Sequence, residues 1–262
     1  MMLAILSAVL FALILIFCGN KGAKSIATTC INGAFLLGML AIINMGVPPF
    51  IVTLASGIIL TSITLFYQNE VNIKSKVSFL SVLAVLLIVL PLVFWLIRSA
   101  NAGGFNSEQY EITDANGYSR NIGISMPALE ACVMIIALLG TLIDTSIAIS
   151  SAIYEIRANN SRIPLADLMK SAFTVGKDVL NTSIHTIFYI YVAEYMTLMI
   201  QYITDYSFSY VINSKSLAGE FVSVSLSGIG CCLIVPVTAV LGSILIKGRD
   251  ASEIDRTEAD NV

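Results

Sequence analysis

Seven long apolar runs constrain the fold of this chain more than any other feature. A helix needs about 20 mostly apolar residues to cross a hydrocarbon core of ~30 Å, and most of the runs reach that length. They therefore predict an all-α polytopic transmembrane helix bundle with about seven spans. The runs cover residues 1–18, about 26–45, 49–67, 77–97, 126–154, 172–199 and 221–246.

The composition is typical of a chain whose solvent is the lipid bilayer. Hydrophobic residues make up 57% of the 262 residues and charged residues 12%, which is about half the charged fraction of a soluble domain. Soluble catalysis and nucleic-acid binding find no support in this pattern. We predict a protein that is not an enzyme and that carries no cofactor.

The cysteines indicate packing rather than metal binding. All five lie within apolar runs, and the chain contains a single histidine. None has the spacing of a zinc ligand relative to that histidine. We therefore expect small buried hydrophobic side chains and no metal site at Cys18, Cys30, Cys132, Cys231 and Cys232.

The positions of lysine and arginine predict the orientation. Cytoplasmic loops carry an excess of these residues, and here the cations fall in alternate loops. The clusters on the predicted inner side contain Lys21 and Lys24, Lys74 and Lys76, Arg157, Arg162 and Lys170, and Lys247, Arg249 and Arg256. Residues 1–18 are expected to form a first span, with the N-terminus outside, rather than a signal peptide, because the cations follow this run.

This orientation also predicts the organisation of the chain. Residues 1–247 are expected to form one transmembrane helical domain. Within it, about residues 98–125 form an extracytoplasmic loop. Residues 248–262 form a cytoplasmic polar tail, so the C-terminus lies inside.

Ionisable residues are concentrated in the fifth and sixth runs, whereas the interiors of the first four runs contain none. A charge near the bilayer centre costs roughly 2.5–3.5 kcal/mol on insertion scales, so such residues indicate a functional site. At ~1.5 Å rise per residue, Asp144 and Asp178 reach similar depths on adjacent antiparallel helices. The inner level consists of Asp144, Lys177, Asp178 and Asn181. The full set of transport or ion-binding candidates is Asp144, Thr145, Lys177, Asp178, Asn181, Thr182 and His185.

A second level of carboxylates is expected nearer the outer surface, with Glu130 and Glu194 as outer-mouth candidates and Glu220 as a further member. In the seventh run, residues 225–230 and Pro236 interrupt helical regularity, as at many transporter sites. Each of these features also has a purely structural interpretation. A lysine can neutralise an acid, small residues allow close helix packing, and a lone histidine is often a hydrogen-bonded interior side chain.

Together these features predict a small transporter or channel component for a cation, or for a cation-coupled solute, with its polar site between spans five and six. The alternative is a non-transporting membrane subunit that stabilises or regulates a partner membrane protein. An intramembrane aspartyl protease with Asp144 and Asp178 as its dyad is disfavoured. Lys177, directly before Asp178, favours the ionised carboxylate rather than a shared proton.

Three motifs in the second half resemble the YibE/F-like family of bacterial membrane proteins. They are Gly140-Thr-Leu-Ile-Asp144-Thr-Ser-Ile-Ala-Ile-Ser-Ser151 with Tyr154-Glu155, Gly176-Lys-Asp178 with Thr182 and Thr186, and Ser227-Gly-Ile-Gly230 with Pro236, Thr238 and Ala239. The resemblance extends from about residue 126 to residue 242. The sequence departs from the family pattern at Asn181, where glycine is usual, and at His185, where asparagine is usual.

The resemblance implies a multi-pass protein of the bacterial plasma membrane. The family often occurs as two related proteins, and this chain resembles the shorter type, which lacks the extracytoplasmic N-terminal region. The implied partners are the lipid bilayer and either a paralogous membrane protein or a second copy of the chain, with no nucleic acid. The resemblance supplies no substrate.

Overall fold

The computed structural model describes residues 2–100 and 126–247, and these residues are almost entirely helical. The expectation of an all-α fold is thereby confirmed. The elements are α1 (Met2–Asn44), α2 (Pro49–Ser62), a π-helix (Ile63–Gln68), α3 (Ile73–Ala100), α4 (Met126–Asn159), α5 (Leu165–Asp205), α6 (Phe208–Ile212) and α7 (Lys215–Lys247). Residues 101–125 of the expected loop and the tail 248–262 lie outside the described residues.

Within the described ranges, five helices are long and apolar enough to cross a membrane. These candidate spans are Ala4–Asn44, Pro49–Gln68, Ile73–Ile97, Pro127–Asn159 and Leu217–Ile246. The number differs from seven for two reasons. The helix α1 joins the first two apolar runs. The helix α5 is continuous, but its polar side chains, among them those from Lys177 to His185, make it less apolar than the five candidate spans. Seven spans, and the orientation, stay predictions.

The helix α1 is broken at Gly19, whose backbone has φ 53° and ψ −133°. Side chains other than glycine rarely adopt this region. A Cβ on Gly22 would lie 2.6 Å from the carbonyl oxygen of Ile14, although a straight helix separates residues eight positions apart by about 12 Å. The chain therefore bends sharply at Gly19, between the two runs that the sequence analysis separates.

The core of the bundle lies between α3, α4 and α7, which all contact one another. Apolar side chains with almost no exposed surface fill it, among them Val85, Val89, Leu138, Leu142 and Ile234. The helix α5 packs against both α7 and α4, whereas α2 packs on α4, and α1 packs on α2 and the π-helix. As a result, α7 lies against both helices that carry the predicted polar residues.

Two ion pairs join elements at one end of the bundle. The Lys24 ammonium lies 2.6 Å from Glu70, which follows the π-helix, and the Lys74 ammonium lies 3.6 Å from Glu155 at the end of α4. The hydrogen bond and charge of Lys24 hold the pKa of Glu70 below its usual value. Lys74 also lies 4.1 Å from the centre of the Tyr154 ring. Cations of two predicted inner segments thus take part in the packing at this end.

Candidate functional site

A cavity of about 380 Å³ lies between α4, α5 and α7, on the side of the N-terminal halves of α4 and α7. Two carboxylates and several hydroxyls line it together with apolar side chains. The lining residues are Glu130, Val133, Ala137, Thr141, Ile187, Ile190, Tyr191, Glu220, Ser223 and Ser227. Each of the three helices contributes at least one polar group to this half-open space.

Its two carboxylates come from different helices. Glu130 lies in the first turns of α4 and is half-buried. One of its carboxylate oxygens, Oε1, lies 3.8 Å from the position that a Cβ on Gly219 would occupy. Glu130 therefore reaches the start of α7, beside Glu220. Carboxylate oxygens are preferred ligands of hard cations, and rings of acidic side chains select cations in channels.

Hydroxyl groups continue the polar lining away from the carboxylates. The Tyr191 and Ser223 hydroxyls are 3.0 Å apart and join α5 to α7. The Thr141 hydroxyl donates to the carbonyl oxygen of Leu138 at 2.8 Å. Ser227 lies one turn beyond Ser223 on α7. These groups offer a solute hydrogen-bonding partners along the cavity wall.

Asp144 extends the line of cavity residues on α4. Glu130, Val133, Ala137 and Thr141 recur at spacings of three and four residues, and Asp144 follows Thr141 by three, so it lies on the same face. Its side chain is exposed. Thr145 lies on another face, where it is buried with its hydroxyl 3.8 Å from Cys231 Sγ. Asp144 is therefore exposed, whereas its sequence neighbour Thr145 is packed against α7.

The candidates on α5 lie on the face directed away from the bundle. The inward face carries Gly176, which meets Val235 of α7, and Ile187, which is buried. The outward face carries exposed side chains, namely Lys177, Asp178, Asn181, Thr182 and His185. Together these residues form one polar stripe on the helix, and the stripe does not line the cavity.

Contacts around this stripe are sparse. Thr182 donates to carbonyl oxygens of its own helix, and the His185 ring stacks on Tyr189 with 6.3 Å between ring centres. Within the residues the structure describes, no salt bridge joins Lys177 to Asp144 or to Asp178. The sequence-predicted inner level is therefore divided, with Asp144 below the cavity and Asp178 on the outward face of α5.

Of the two outer-mouth candidates, Glu130 lies in the cavity, whereas Glu194 lies in α5 and its side chain is outside the described part of the molecule. Sequence analysis missed Tyr191, Ser223 and Ser227 as lining residues. A signal was present for α7, because Glu220, Ser223 and Ser227 recur at spacings of three and four residues.

The cysteines follow the expectation only in part. Cys132 and Cys231 are buried, but Cys18, Cys30 and Cys232 are exposed on the bundle surface. Exposure of a small apolar side chain at a bilayer-facing position costs little, since lipid is as apolar as a protein interior. Across the described ranges, no three His, Cys, Asp or Glu side chains are grouped as metal ligands.

The apolar helices and the packing of the bundle define a polytopic helical membrane protein. A family model described as YibE/F-like protein matches residues 6–248, which is nearly the whole chain. The chain belongs to this family. The match includes the first half, where the motifs carried no specific resemblance. No curated protein and no solved structure gave a significant match.

Proposed function

We propose that this chain is a transporter or channel component of the bacterial plasma membrane that moves a cation, or a cation-coupled small solute. The observation that carries the proposal is the cavity with Glu130 and Glu220 on facing helices. In this interpretation the two carboxylates bind the cation at the mouth of the cavity. Hydroxyls of Thr141, Ser223 and Ser227 replace part of its water shell.

The pathway continues along α4. Asp144 follows the cavity residues at helical spacing and is exposed rather than enclosed by the core. A carboxylate at this depth is costly unless water, a cation or a proton reaches it. Asp144 is therefore the next group that binds the cation. It lies about 21 Å along α4 from Glu130, at 1.5 Å rise per residue.

A non-transporting role is the second candidate, and one observation favours it. The outward face of α5 presents a lysine, an aspartate and a histidine with no partner helix in the described part of the chain. A subunit that stabilises or regulates another membrane protein requires such a face. In this interpretation the cavity is a packing defect between helices and carries no solute.

Reconstitution into liposomes distinguishes the two candidates. Purified protein is incorporated into vesicles, and proton, Na⁺ and K⁺ entry are followed with fluorescent indicators under an imposed membrane potential. We expect flux with the wild type and severalfold lower flux with Glu130→Gln or Asp144→Asn, since each change removes a negative charge from the pathway.

Asp178→Asn is the matched control, because Asp178 lies in the membrane domain but faces away from the cavity. Its flux is expected to equal that of the wild type. If Glu130→Gln and Asp144→Asn also transport like the wild type, the cavity is not the pathway. If neither the wild type nor any variant transports any of the three cations, the result supports the non-transporting candidate.

A further inference from the structure

The outward face of α5 carries a regular seam. Side chains recur at alternating spacings of four and three residues, which is the period of left-handed helix pairs. We define the α5 seam as Asp178, Thr182, His185, Tyr189, Val192, Met196, Met199 and Ile203. From first to last residue it extends about 38 Å at 1.5 Å rise per residue, enough to cross a hydrocarbon core of ~30 Å.

The seam is exposed along its whole length. The relative exposure is 65% for Tyr189, 55% for Met196 and 68% for Ile203, and the other seam residues are exposed too. Ile187, on the opposite face of the same helix, is 7% exposed. The exposure therefore reflects the orientation of α5, whose other face packs on α4 and α7.

Acyl chains are an unfavourable environment for the polar side chains in the first half of the seam. Gly176 contacts Ile149 of α4, and Ile149 lies about 9 Å along α4 from the Glu155 ion pair, at 1.5 Å rise per residue. In the predicted orientation the Lys74–Glu155 ion pair lies at the inner boundary, which places Asp178 and the seam residues just after it inside the apolar layer. Polar side chains at such depth face protein or water rather than acyl chains, and they hydrogen-bond across helix pairs.

We propose that the α5 seam is the interface between two copies of this chain, related by a two-fold axis along the membrane normal. Two copies inserted in the same orientation place each seam residue opposite its own counterpart. Polar seam residues then meet polar ones, Asp178 to Tyr189, and apolar residues meet apolar ones, Val192 to Ile203. A second copy in the same orientation carries the same polar and apolar residues at the same depths, so the two seams match.

The charges support a second copy in particular. Lys177 and Asp178 are exposed neighbours, but adjacent residues on a helix point in directions about 100° apart and do not pair with each other. In the two-fold pair, two aspartates and two lysines occupy one layer whose net charge is zero. The ammonium of one copy can then approach the carboxylate of the other, which supplies complementary charge at a depth where an isolated charge is costly.

Cysteine cross-linking in native membranes tests the proposal. The five natural cysteines are first replaced by alanine, and single cysteines are introduced as Thr182→Cys, His185→Cys, Tyr189→Cys, Val192→Cys and Met196→Cys. The controls are Ile184→Cys and Ile190→Cys, at positions that are 40% and 57% exposed but about 100° around the helix from the nearest seam residue. Mild oxidation is expected to give severalfold more disulfide-linked dimer at the seam positions.

Equal yields at seam and control positions, or no dimer at any seam position, overturn the proposal. Cross-linking of the seam to a different protein, with no product of twice the chain mass, overturns it as well. These outcomes are independent of transport, so the seam proposal and the proposed function can fail separately.

A second measurement needs no cysteine replacement. Two copies of the full chain with different tags are co-expressed, extracted in mild detergent, and captured through one tag. We expect the second tag to be recovered with the wild type, and less of it with Asp178→Asn, which leaves the two lysines of the layer without carboxylates. Asp178→Lys leaves only cations there and is expected to lower recovery severalfold; unchanged recovery contradicts the assigned interface.

Discussion

At Gly230 the backbone of α7 lies against the Leu138 side chain of α4, so an added Cβ fits only if that side chain shifts. A Cβ at this position would lie 2.2 Å from Leu138 Cδ1, and both Leu138 and Leu142 are fully buried. Gly228, half a turn away, has no atom within 4 Å of the corresponding position. The two glycines share a helix but have opposite packing requirements.

We expect Gly230→Ala to destabilise the protein by about 1–3 kcal/mol, the usual range for overpacking a core. Gly228→Ala is the control and is expected to be neutral or slightly stabilising, because alanine has the higher helix propensity by up to about 1 kcal/mol. Heating in detergent followed by size-exclusion chromatography measures the midpoint of thermal unfolding for each variant. Equal midpoints for the two variants would show that Leu138 moves aside without cost.

The Lys24–Glu70 ion pair predicts a pH effect of known sign. The pKa of Glu70 is lowered in the folded state by Lys24, so the pair contributes stability above the unfolded-state pKa of about 4.3. That contribution is lost as pH falls through the lowered folded-state pKa. The stability difference between wild type and Glu70→Gln is expected to be small, since the pair is exposed, and to vanish in acid. Thermal unfolding from neutral to acidic pH measures it, and a difference that grows on acidification contradicts the assignment.

Among the helices, apolar length is what the sequence predicts best. The runs 49–67, 77–97 and 221–246 agree with the candidate spans Pro49–Gln68, Ile73–Ile97 and Leu217–Ile246 to within a few residues. Insertion depends on local apolar content, which a sequence window contains in full. The separation of runs 1–18 and 26–45 predicts that the chain reverses between them, but not that the break falls at Gly19, because this depends on one backbone conformation.

The helix α1 carries a topological prediction. If its two halves cross the membrane separately on either side of Gly19, an epitope tag at the N-terminus lies outside, Asn20 inside and Val47 outside. Labelling of Asn20→Cys and Val47→Cys with a membrane-impermeant maleimide in intact and permeabilised cells measures this, in a chain without its natural cysteines. Labelling of Asn20→Cys in intact cells contradicts the inward position of the bend.

At the scale of the whole molecule, helical spacing predicts which residues share a face of one helix but not what that face meets. Asp178 and His185 lie on one face of α5, as their spacing requires, and that face is exposed. The rotation of α5 about its axis is set by distant contacts such as Gly176 with Val235. Sequence periodicity contains no information on these contacts, so the depth of Asp178 could be predicted whereas its outward direction could not.

The length of α5 links the fold to the thickness of the surrounding membrane. Its 41 residues extend about 61 Å at 1.5 Å rise per residue, twice a hydrocarbon core of ~30 Å. The exposed aromatic residues that follow it, Tyr206, Phe208 and Tyr210, are of the kind that anchors at the headgroup level. If α5 crosses the membrane as the sequence predicts, a helix of this length tilts or projects by an amount that depends on acyl-chain length. In that case lipid chain length contributes to the conformational energy of the whole bundle.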